Sequence, residues 1–343
     1  MNVDERFMRA ALNEARKGLG RTSPNPAVGA VLVANNRIIA RGHHRQAGKP
    51  HAEVECLRKV RGKVPKNSTI YVTLEPCSTK GRTGACTDEL IRAGIKTIVI
   101  GTTDPNPRHR GAGIELLTNA GIAVRTGVLA EECARLNEAF NKWIATGIPF
   151  VIVKCGMSLD GRLTRPKNES RWMTSASARR HAHRLRAQVD AILVGAETIR
   201  VDNPRLTARA GLKDRQPARV IITRSGKLPR TAHVFTDRFA KNTHVYRDKT
   251  LATILAELGS KNITSVMIEG GGNVLGQALD ERLIDKAQIY IAPIFAGGQV
   301  AAFAGRGAAR TSEAARLESV SFEKVGIDLC VTGYPKYPLP AGM

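Results

Sequence analysis

The sequence predicts an α/β protein made of two successive domains, residues 1–147 and 148–343. Three observations predict it. Short β-branched runs alternate with helical segments through both halves, the pattern of a sheet layered between helices. A chain of 343 residues is long enough for two cores. A helical stretch over 130–145 runs into Gly147-Ile148-Pro149, a plausible junction, and a fresh apolar strand opens directly after it.

The elements follow in order. Asp4 to Leu12 reads as an amphipathic helix rather than a signal peptide. Val28–Val33 and Ile38–Ala40 form a hairpin around Asn35-Asn36, residues that suit a tight turn. Pro50 restricts the entry to the periodic run Ala52, Val54, Leu57 and Val60, which places a helix start at His51. Strand 69–74, helix 86–94, strand 97–100, a helix at about 111–120 and a short strand near 122–124 complete a three-layer domain. The second half offers strand 150–154, helix 175–188 and strands 191–194, 219–222 and 244–246. Helix 250–258 and strand 265–268 come next, and segments 287–292 and 328–332 read as closing antiparallel strands. There is no internal repeat and no low-complexity linker.

Composition narrows the function classes. Hydrophobic residues make up 42% of the chain, yet no apolar stretch approaches the roughly 18 residues of a membrane span. Six cysteines without a dense framework fit a reducing cytoplasm. Lys and Arg outnumber Asp and Glu by 53 to 30, which attracts anions, either nucleic acid or phosphorylated small molecules. The basic residues are spread out, with no tail and no aromatic-interleaved run. The densest stretch, Arg179 to Arg186, reads as one helix with a largely solvated face.

His51-Ala52-Glu53, then Pro76-Cys77, then Cys86, carry the chemistry. One imidazole and two thiols suit Zn²⁺, and a catalytic site keeps the fourth position open for water. The metal makes that water acidic enough to act as hydroxide near neutral pH, and the unligated Glu53 carboxylate shuttles its protons. With a two-residue cysteine gap this is the signature of zinc nucleobase deaminases. His51 and Glu53 point to opposite sides of a regular helix. Only an end-on approach to the helix start lets both reach one water. Cys86 opens a helix, where the dipole favours the ligating thiolate. Cys77 alone reads as an ordinary core thiol; the four residues in this order do not. Glu55, one turn from His51, reads as solvated, and Cys56, Cys133, Cys155 and Cys330 as buried thiols.

In the second half, strand 265–269 runs into Gly270-Gly271-Gly272-Asn273 and then a helix. Such a turn lets backbone N–H groups close on a phosphate. The spacing misses the dinucleotide fingerprint G-x-G-x-x-G, so a plain helix-entry turn fits equally well.

Over nearly its whole length the chain resembles the bifunctional deaminase–reductases of riboflavin biosynthesis. The resemblance rests on Thr22-Ser23-Pro24-Asn25-Pro26-Ala27-Val28-Gly29, His51-Ala52-Glu53-Val54, Thr73-Leu74-Glu75-Pro76-Cys77-Ser78 and Asp104-Pro105-Asn106-Pro107. The eight residues between Cys77 and Cys86 match the long loop of that pathway's deaminase. Second-domain matches are Lys154, Ser158-Leu159-Asp160-Gly161, Glu169-Ser170-Arg171-Trp172, Asp202 to Arg209 and Glu269 to Gly272.

The resemblance implies a cytidine-deaminase-like first domain that deaminates a phosphoribosylated diaminopyrimidinone. Its zinc ligands would be His51, Cys77 and Cys86, with Glu53 as proton shuttle. Asn25, Asp104 and Asn106 would orient the substrate and Arg82 meet its phosphate. It implies a dihydrofolate-reductase-like second domain that uses NADPH to reduce ribosyl to ribityl. Gly156, Trp172, Thr198, Asp202 and Gly270, Gly271 and Gly272 would contact NADPH. Ser170, Arg186, Leu206, Arg209 and Glu269 would hold the substrate, with Lys154 and Asp202 as polar assistants. A homo-oligomer, dimer or tetramer, is expected, with no nucleic-acid or membrane partner. The basic excess then fits phosphorylated ligands, which guanidinium groups bind bidentately.

Four stretches depart from that family's pattern: Thr79-Lys80, Gly84-Ala85, Asn168, and Thr223-Arg224-Ser225, which lacks a familiar aspartate. Two rival readings remain. A transfer-RNA or nucleic-acid deaminase with an RNA-binding second domain fits the charge, but not the long cysteine gap or the 4% aromatic content. A structural zinc module requires a fourth protein ligand, and no cysteine or histidine is suitably spaced to supply it.

Overall fold

The computed structural model describes residues 2–79, 84–107, 109–163, 172–211 and 215–338. The chain divides into two compact units, Met1–Gly147 and Ile148–Met343.

In the first unit α1 (Val3–Ala15) precedes the hairpin β1 (Gly29–Ala34) and β2 (Arg37–His43). Asn35 and Asn36 both adopt positive φ in its turn, a conformation asparagine tolerates better than most residues. Then come α2 (Ala52–Leu57), β3 (Thr69–Leu74), α3 (Cys86–Arg92), β4 (Thr97–Thr102), α4 (Ala112–Asn119) and β5 (Ala123–Thr126). Two helices, α5 (Ala130–Leu136) and α6 (Glu138–Thr146), end the unit.

The five strands order as β2-β1-β3-β4-β5, with β1 antiparallel to both neighbours and the last three strands parallel. Alternate residues of each strand enter separate cores, as the two-residue period requires. Leu32, Ile70, Val72, Ile98 and Ile100 meet Ala52, Cys56, Leu90 and Leu117 of α2, α3 and α4. Val31, Val33, Tyr71 and Val99 meet Phe7, Met8, Leu12 and Cys133 of α1 and α5. This is the predicted three-layer arrangement.

The single helix expected over 130–145 breaks at Asn137. That residue is buried, accepts from the Ala27 N–H at 2.8 Å and donates to the Ala27 carbonyl at 3.0 Å, so its side chain ties down a loop.

The second unit opens with β6 (Phe150–Ser158), α7 (Ala176–Arg186), β7 (Ala191–Gly195), α8 (Ala196–Asp202) and β8 (Ala218–Thr223). It continues with α9 (His233–Thr236), β9 (Thr243–Arg247), α10 (Leu251–Ser260), β10 (Ser265–Gly270) and α11 (Gly272–Asp280). It closes with β11 (Lys286–Ala292), β12 (Arg316–Val325) and β13 (Asp328–Lys336).

Eight strands order as β12-β13-β11-β6-β10-β7-β8-β9. The six from β11 to β9 are parallel, and β13 runs antiparallel to β11 and β12. The closing strands expected over 287–292 and 328–332 therefore do pair antiparallel, although β11 also lies parallel to β6. Strand β12 has no sequence expectation behind it. Its residues are exposed up to Val325, so no one-sided apolar alternation marks it. Helices α8 and α9 are also too short to produce a periodic signal.

The Arg179–Arg186 stretch is not a simply solvated face. Ala178 and Ala182 of α7 pack with Tyr290, Val325 and Cys330, while His181 meets the Tyr290 hydroxyl at 2.9 Å.

Candidate active site

In the first unit three element boundaries converge. His51 is the N-cap of α2 in extended backbone, Cys77 follows β3 across Glu75-Pro76, and Cys86 is the first residue of α3. His51 Nδ1 lies 3.2 Å from Cys86 Sγ and 3.5 Å from Cys77 Sγ, and all three donor atoms fall within 4.8 Å of one another. The Cys86 backbone N–H points at Cys77 Sγ, 3.4 Å away. Gly42 on β2 permits the approach of α2, since a Cβ there would stand 2.2 Å from the Ala52 carbonyl oxygen.

Hydrogen bonding from the Cys86 thiol and then from His51, against the opposing effect of burial, holds the Cys77 thiol down at about 4. The Cys86 thiol is correspondingly raised, chiefly by its hydrogen bond with Cys77. His51 is raised, first by its hydrogen bond with Cys77.

Glu53, 3% exposed, sits in the first turn of α2 with Oε2 lacking a hydrogen-bond partner among the described residues. Burial, then the nearby Cys77, pushes its carboxyl up to about 7. An orphaned buried carboxylate oxygen next to one imidazole and two thiols fits a three-ligand Zn²⁺ site with room for a reacting group. The end-on geometry expected of the helix start is what the extended His51 backbone provides.

Two supporting residues had no sequence signal. His44 donates from Nδ1 to Pro50 O at 3.1 Å and accepts at Nε2 from Asn25 Nδ2 at 3.1 Å, so it links Asn25 to the residue before His51. Glu75, given above only within the Thr73–Ser78 motif and with no role of its own, is buried and accepts from the backbone N–H of Asp104, Gly111 and Gly113 at 2.9–3.0 Å. It thereby ties the end of β3 to the loop carrying Asp104 and Asn106. Asp104 Oδ1 in turn accepts from the Asn106 N–H at 2.8 Å, and burial raises the Asp104 carboxyl. Arg82 lies outside the described residues.

In the second unit the candidates fall into two groups. Arg186 on α7 grips Glu269 at the end of β10 with two hydrogen bonds, 2.5 and 2.6 Å, and its third nitrogen donates to Thr207 O at 3.1 Å. Lys154 on β6 stands 3.9 Å from the same carboxylate. Burial alone would raise Glu269, but Arg186 and then Lys154 hold it at about 2. Arg209 donates to His183 Nε2 at 3.1 Å through Nε. Burial, then Arg186 and Arg209, push His183 down to about 4. Leu206, in the same loop, is buried with φ +49°, a strained conformation for a leucine. The expected substrate holders Arg186 and Glu269 are thus engaged with each other.

The second group lines the strand ends. Gly270 has φ +120°, open to glycine alone, and its peptide to Gly271 is cis. Gly271 caps α11, and a Cβ on it would lie 3.6 Å from Thr198 Oγ1 of α8. Gly156 on β6 faces Thr174, and Trp172, 45% exposed, carries the Arg179 guanidinium 5.0 Å from its ring centre. Asp202 ends α8, on a different element from Lys154. Ser170 and Asn168 lie outside the described residues. A cleft of about 970 Å³ opens between the ends of β7 and β8 and the start of α11.

The chain matches two family models: the cytidine and deoxycytidylate deaminase zinc-binding region over residues 1–102, and the RibD C-terminal domain over 149–331. It is 37% identical to the riboflavin biosynthesis protein RibD of Aquifex aeolicus, covering 96% of this chain and 98% of that protein. It is 36% identical to RibD of Escherichia coli over 96% and 98%. A structure of Acinetobacter baumannii RibD superposes with a TM-score of 0.89 at 34% identity, covering 97% of this chain and 99% of that one. A structure from Thermotoga maritima, described as a diaminohydroxyphosphoribosylaminopyrimidine deaminase/5-amino-6-(5-phosphoribosylamino)uracil reductase, superposes at 0.86 with 36% identity, over 97% and 99%.

Proposed function

The chain belongs to the RibD family of bifunctional riboflavin-pathway enzymes, and on that premise we propose that residues 1–147 carry the deaminase and 148–343 the reductase. The enzyme deaminates 2,5-diamino-6-(5-phosphoribosylamino)pyrimidin-4-one and then reduces the ribosyl side chain to ribityl. Full-length relatives do not favour the nucleic-acid deaminase reading. One observation carries the assignment of the first site: the His51, Cys77 and Cys86 donors lie within 4.8 Å beside an unpartnered, buried Glu53 oxygen.

When bound, zinc supplies the Lewis acidity that makes water nucleophilic near neutral pH, and NADPH supplies the reducing equivalents. The protein's own groups do the rest. His51, Cys77 and Cys86 hold the metal. Glu53 Oε2 takes a proton from the attacking water and delivers it to the ring nitrogen. It then takes the second proton from the newly formed C–OH and delivers it to the amino group, which departs as ammonia while the carbonyl forms. A carboxyl near pKa 7 is suited to both directions of that transfer. Asn25, fixed by His44, and the Asp104–Asn106 loop, fixed by Glu75, orient the pyrimidine and ribose.

In the second site Gly156, Trp172, Thr198, Asp202 and Gly270 to Gly272 receive NADPH. Lys154 and Arg209 face the substrate, while the Arg186–Glu269 pair fixes Lys154 in place. Leu206 acts through its backbone, since its side chain is buried.

The enzyme works in the cytoplasm, a placement supported by six free cysteines; among the described residues no helix is long and apolar enough to cross a membrane. It assembles as a homo-oligomer. The exposed edge strand β12, with Val320 39% and Phe322 70% exposed, supports pairing of second units through that edge.

The deciding experiment supplies purified protein with the diaminopyrimidinone phosphate, with and without NADPH. Ammonia release that needs no NADPH, followed by NADPH oxidation, is expected. Absence of ammonia release from zinc-loaded protein would refute the first assignment.

A further inference from the structure

Helix α7 turns two side chains, His183 and Arg186, toward the loop at 206–209, and their spacing puts them on one face of the helix. Arg186 Nη1 donates to Thr207 O at 3.1 Å. The next residue is held by Gln216, whose Oε1 accepts from Ala208 N–H at 2.8 Å and whose Nε2 donates to Ala208 O at 3.1 Å. Arg209 follows directly, on a backbone already fixed, so the direction of its long side chain is set by what its guanidinium meets.

That guanidinium meets His183. Arg209 Nε and Nη2 stand 3.1 and 2.7 Å from His183 Nε2, and the Arg209 backbone nitrogen stands 3.3 Å from Nδ1. A neutral imidazole has one bare nitrogen and one N–H, so it cannot accept at both. Two donors of a cation converge on Nε2, and charge-assisted hydrogen bonds are the stronger kind. Nε2 is therefore the acceptor, and Nδ1 carries the proton. The surroundings keep the ring neutral. It is half-buried among Arg186 on its own helix, Arg209 in the loop and Lys154 on β6, against the Glu269 carboxylate on β10 that Arg186 already grips.

A neutral acceptor does for Arg209 what a carboxylate cannot. Glu269 neutralises Arg186 as it binds it. His183 takes the Nε–Nη2 edge of the Arg209 fork without cancelling the charge, and the remaining donors lie at the Nη1–Nη2 end. The two arginines against α7 thus differ in kind. Arg186 is a paired strut, whereas Arg209 is an oriented cation suited to an oxyanion.

We propose that His183 is a positioning residue of the reductase, which accepts from the Arg209 guanidinium and holds it toward the phosphorylated substrate. This rests on the reading of the second unit as the reductase, with Arg209 facing the substrate. His183 takes no part in the hydride transfer itself.

The test supplies full-length protein with the deaminated substrate and NADPH. Arg209→Ala should raise KM for the sugar-phosphate substrate about 10- to 100-fold, the scale of a charge-assisted contact. His183→Ala should raise the same KM about 10-fold and leave kcat, KM for NADPH and ammonia release within about twofold. His183→Gln, whose amide oxygen accepts in place of Nε2, should restore most of the lost affinity. Because the histidine acts through the arginine, adding His183→Ala to Arg209→Ala should raise KM little further. Nitrogen NMR of histidine-labelled protein near neutral pH should show the signal that His183→Gln removes as a neutral ring protonated on Nδ1, a reading independent of whether His183→Ala folds.

Additive losses in the double variant, a fall in kcat or NADPH affinity matching that in substrate affinity, or a proton on Nε2 overturns the proposal. So does an unchanged substrate KM in His183→Ala while the reductase is active. An unsubstituted protein that oxidises no NADPH overturns the reductase reading itself, and the role of His183 with it.

Discussion

The two sites assemble by different rules. In the first unit, four reactive side chains sit at a helix cap, a strand exit and two helix starts, with three donor atoms inside 4.8 Å. In the second, the candidates are spread over β6, α7, α8, β10 and the loop at 206–209 rather than gathered at one point. A metal fixes its ligands to within tenths of an ångström, so their identities and spacing are narrowly prescribed. A cleft that receives a large cofactor is shaped by strand ends and tolerates many side chains on its walls. The first kind of site therefore leaves a record in the sequence and the second mostly does not.

That contrast can be broken first at the metal. His51→Ala, or prolonged chelation, should abolish ammonia release while NADPH oxidation with supplied deaminated substrate continues; metal content and both assays check it. Parallel loss of the two activities would mean that the units are not chemically separate.

Next in size is Glu53→Gln, expected to reduce ammonia release by about 10²- to 10⁴-fold, the range of a general acid–base group, with zinc retained. Zinc lost from this variant would make Glu53 a ligand.

Arg186→Ala leaves the buried Glu269 carboxylate without its two guanidinium hydrogen bonds and with only Lys154, 3.9 Å away, as counter-charge. It should destabilise the second unit by about 3–5 kcal/mol in denaturant unfolding and leave the zinc content untouched. Replacing both partners with methionine should recover most of that loss, because the penalty arises from the stranded charge.

The smallest effect is acid sensitivity of the second unit. His183 has its pKa pushed from 6.5 to about 4, so between those values the unfolded chain holds a proton that the folded one does not. Its contribution to stability is complete above pH 6.5 and is lost as pH falls through about 4. Glu269, moved from 4.5 to about 2, acts in the same direction over the lower window. The unfolding midpoint of this unit should therefore decline from about pH 6.5 downward. A midpoint flat from pH 7 to 5 would show that His183 is not held neutral.

The alternation of apolar strands with helices, the hairpin at Asn35-Asn36 and the metal-site residues were legible because each rests on local chemistry. A turn needs residues that tolerate positive φ, a strand between two cores needs apolar residues on both faces, and a zinc site needs nitrogen and sulfur at helix and strand ends. The break at Asn137 was not legible, since its cause is a contact with Ala27, 110 positions away. Nor was β12, a strand exposed along nearly its whole length that owes its existence to pairing with β13.

The sequence by itself thus determined the layered architecture and the chemistry of the first site, where the required groups are dictated by a metal's valence. Only the tertiary structure decided that Glu269 is gripped by Arg186, that His44 and Glu75 brace the loops carrying Asn25, Asp104 and Asn106, and that a cleft opens at the ends of β7 and β8. Those outcomes depend on which distant groups meet after folding, and no local pattern of residues encodes a meeting across 83 positions, as between Arg186 and Glu269.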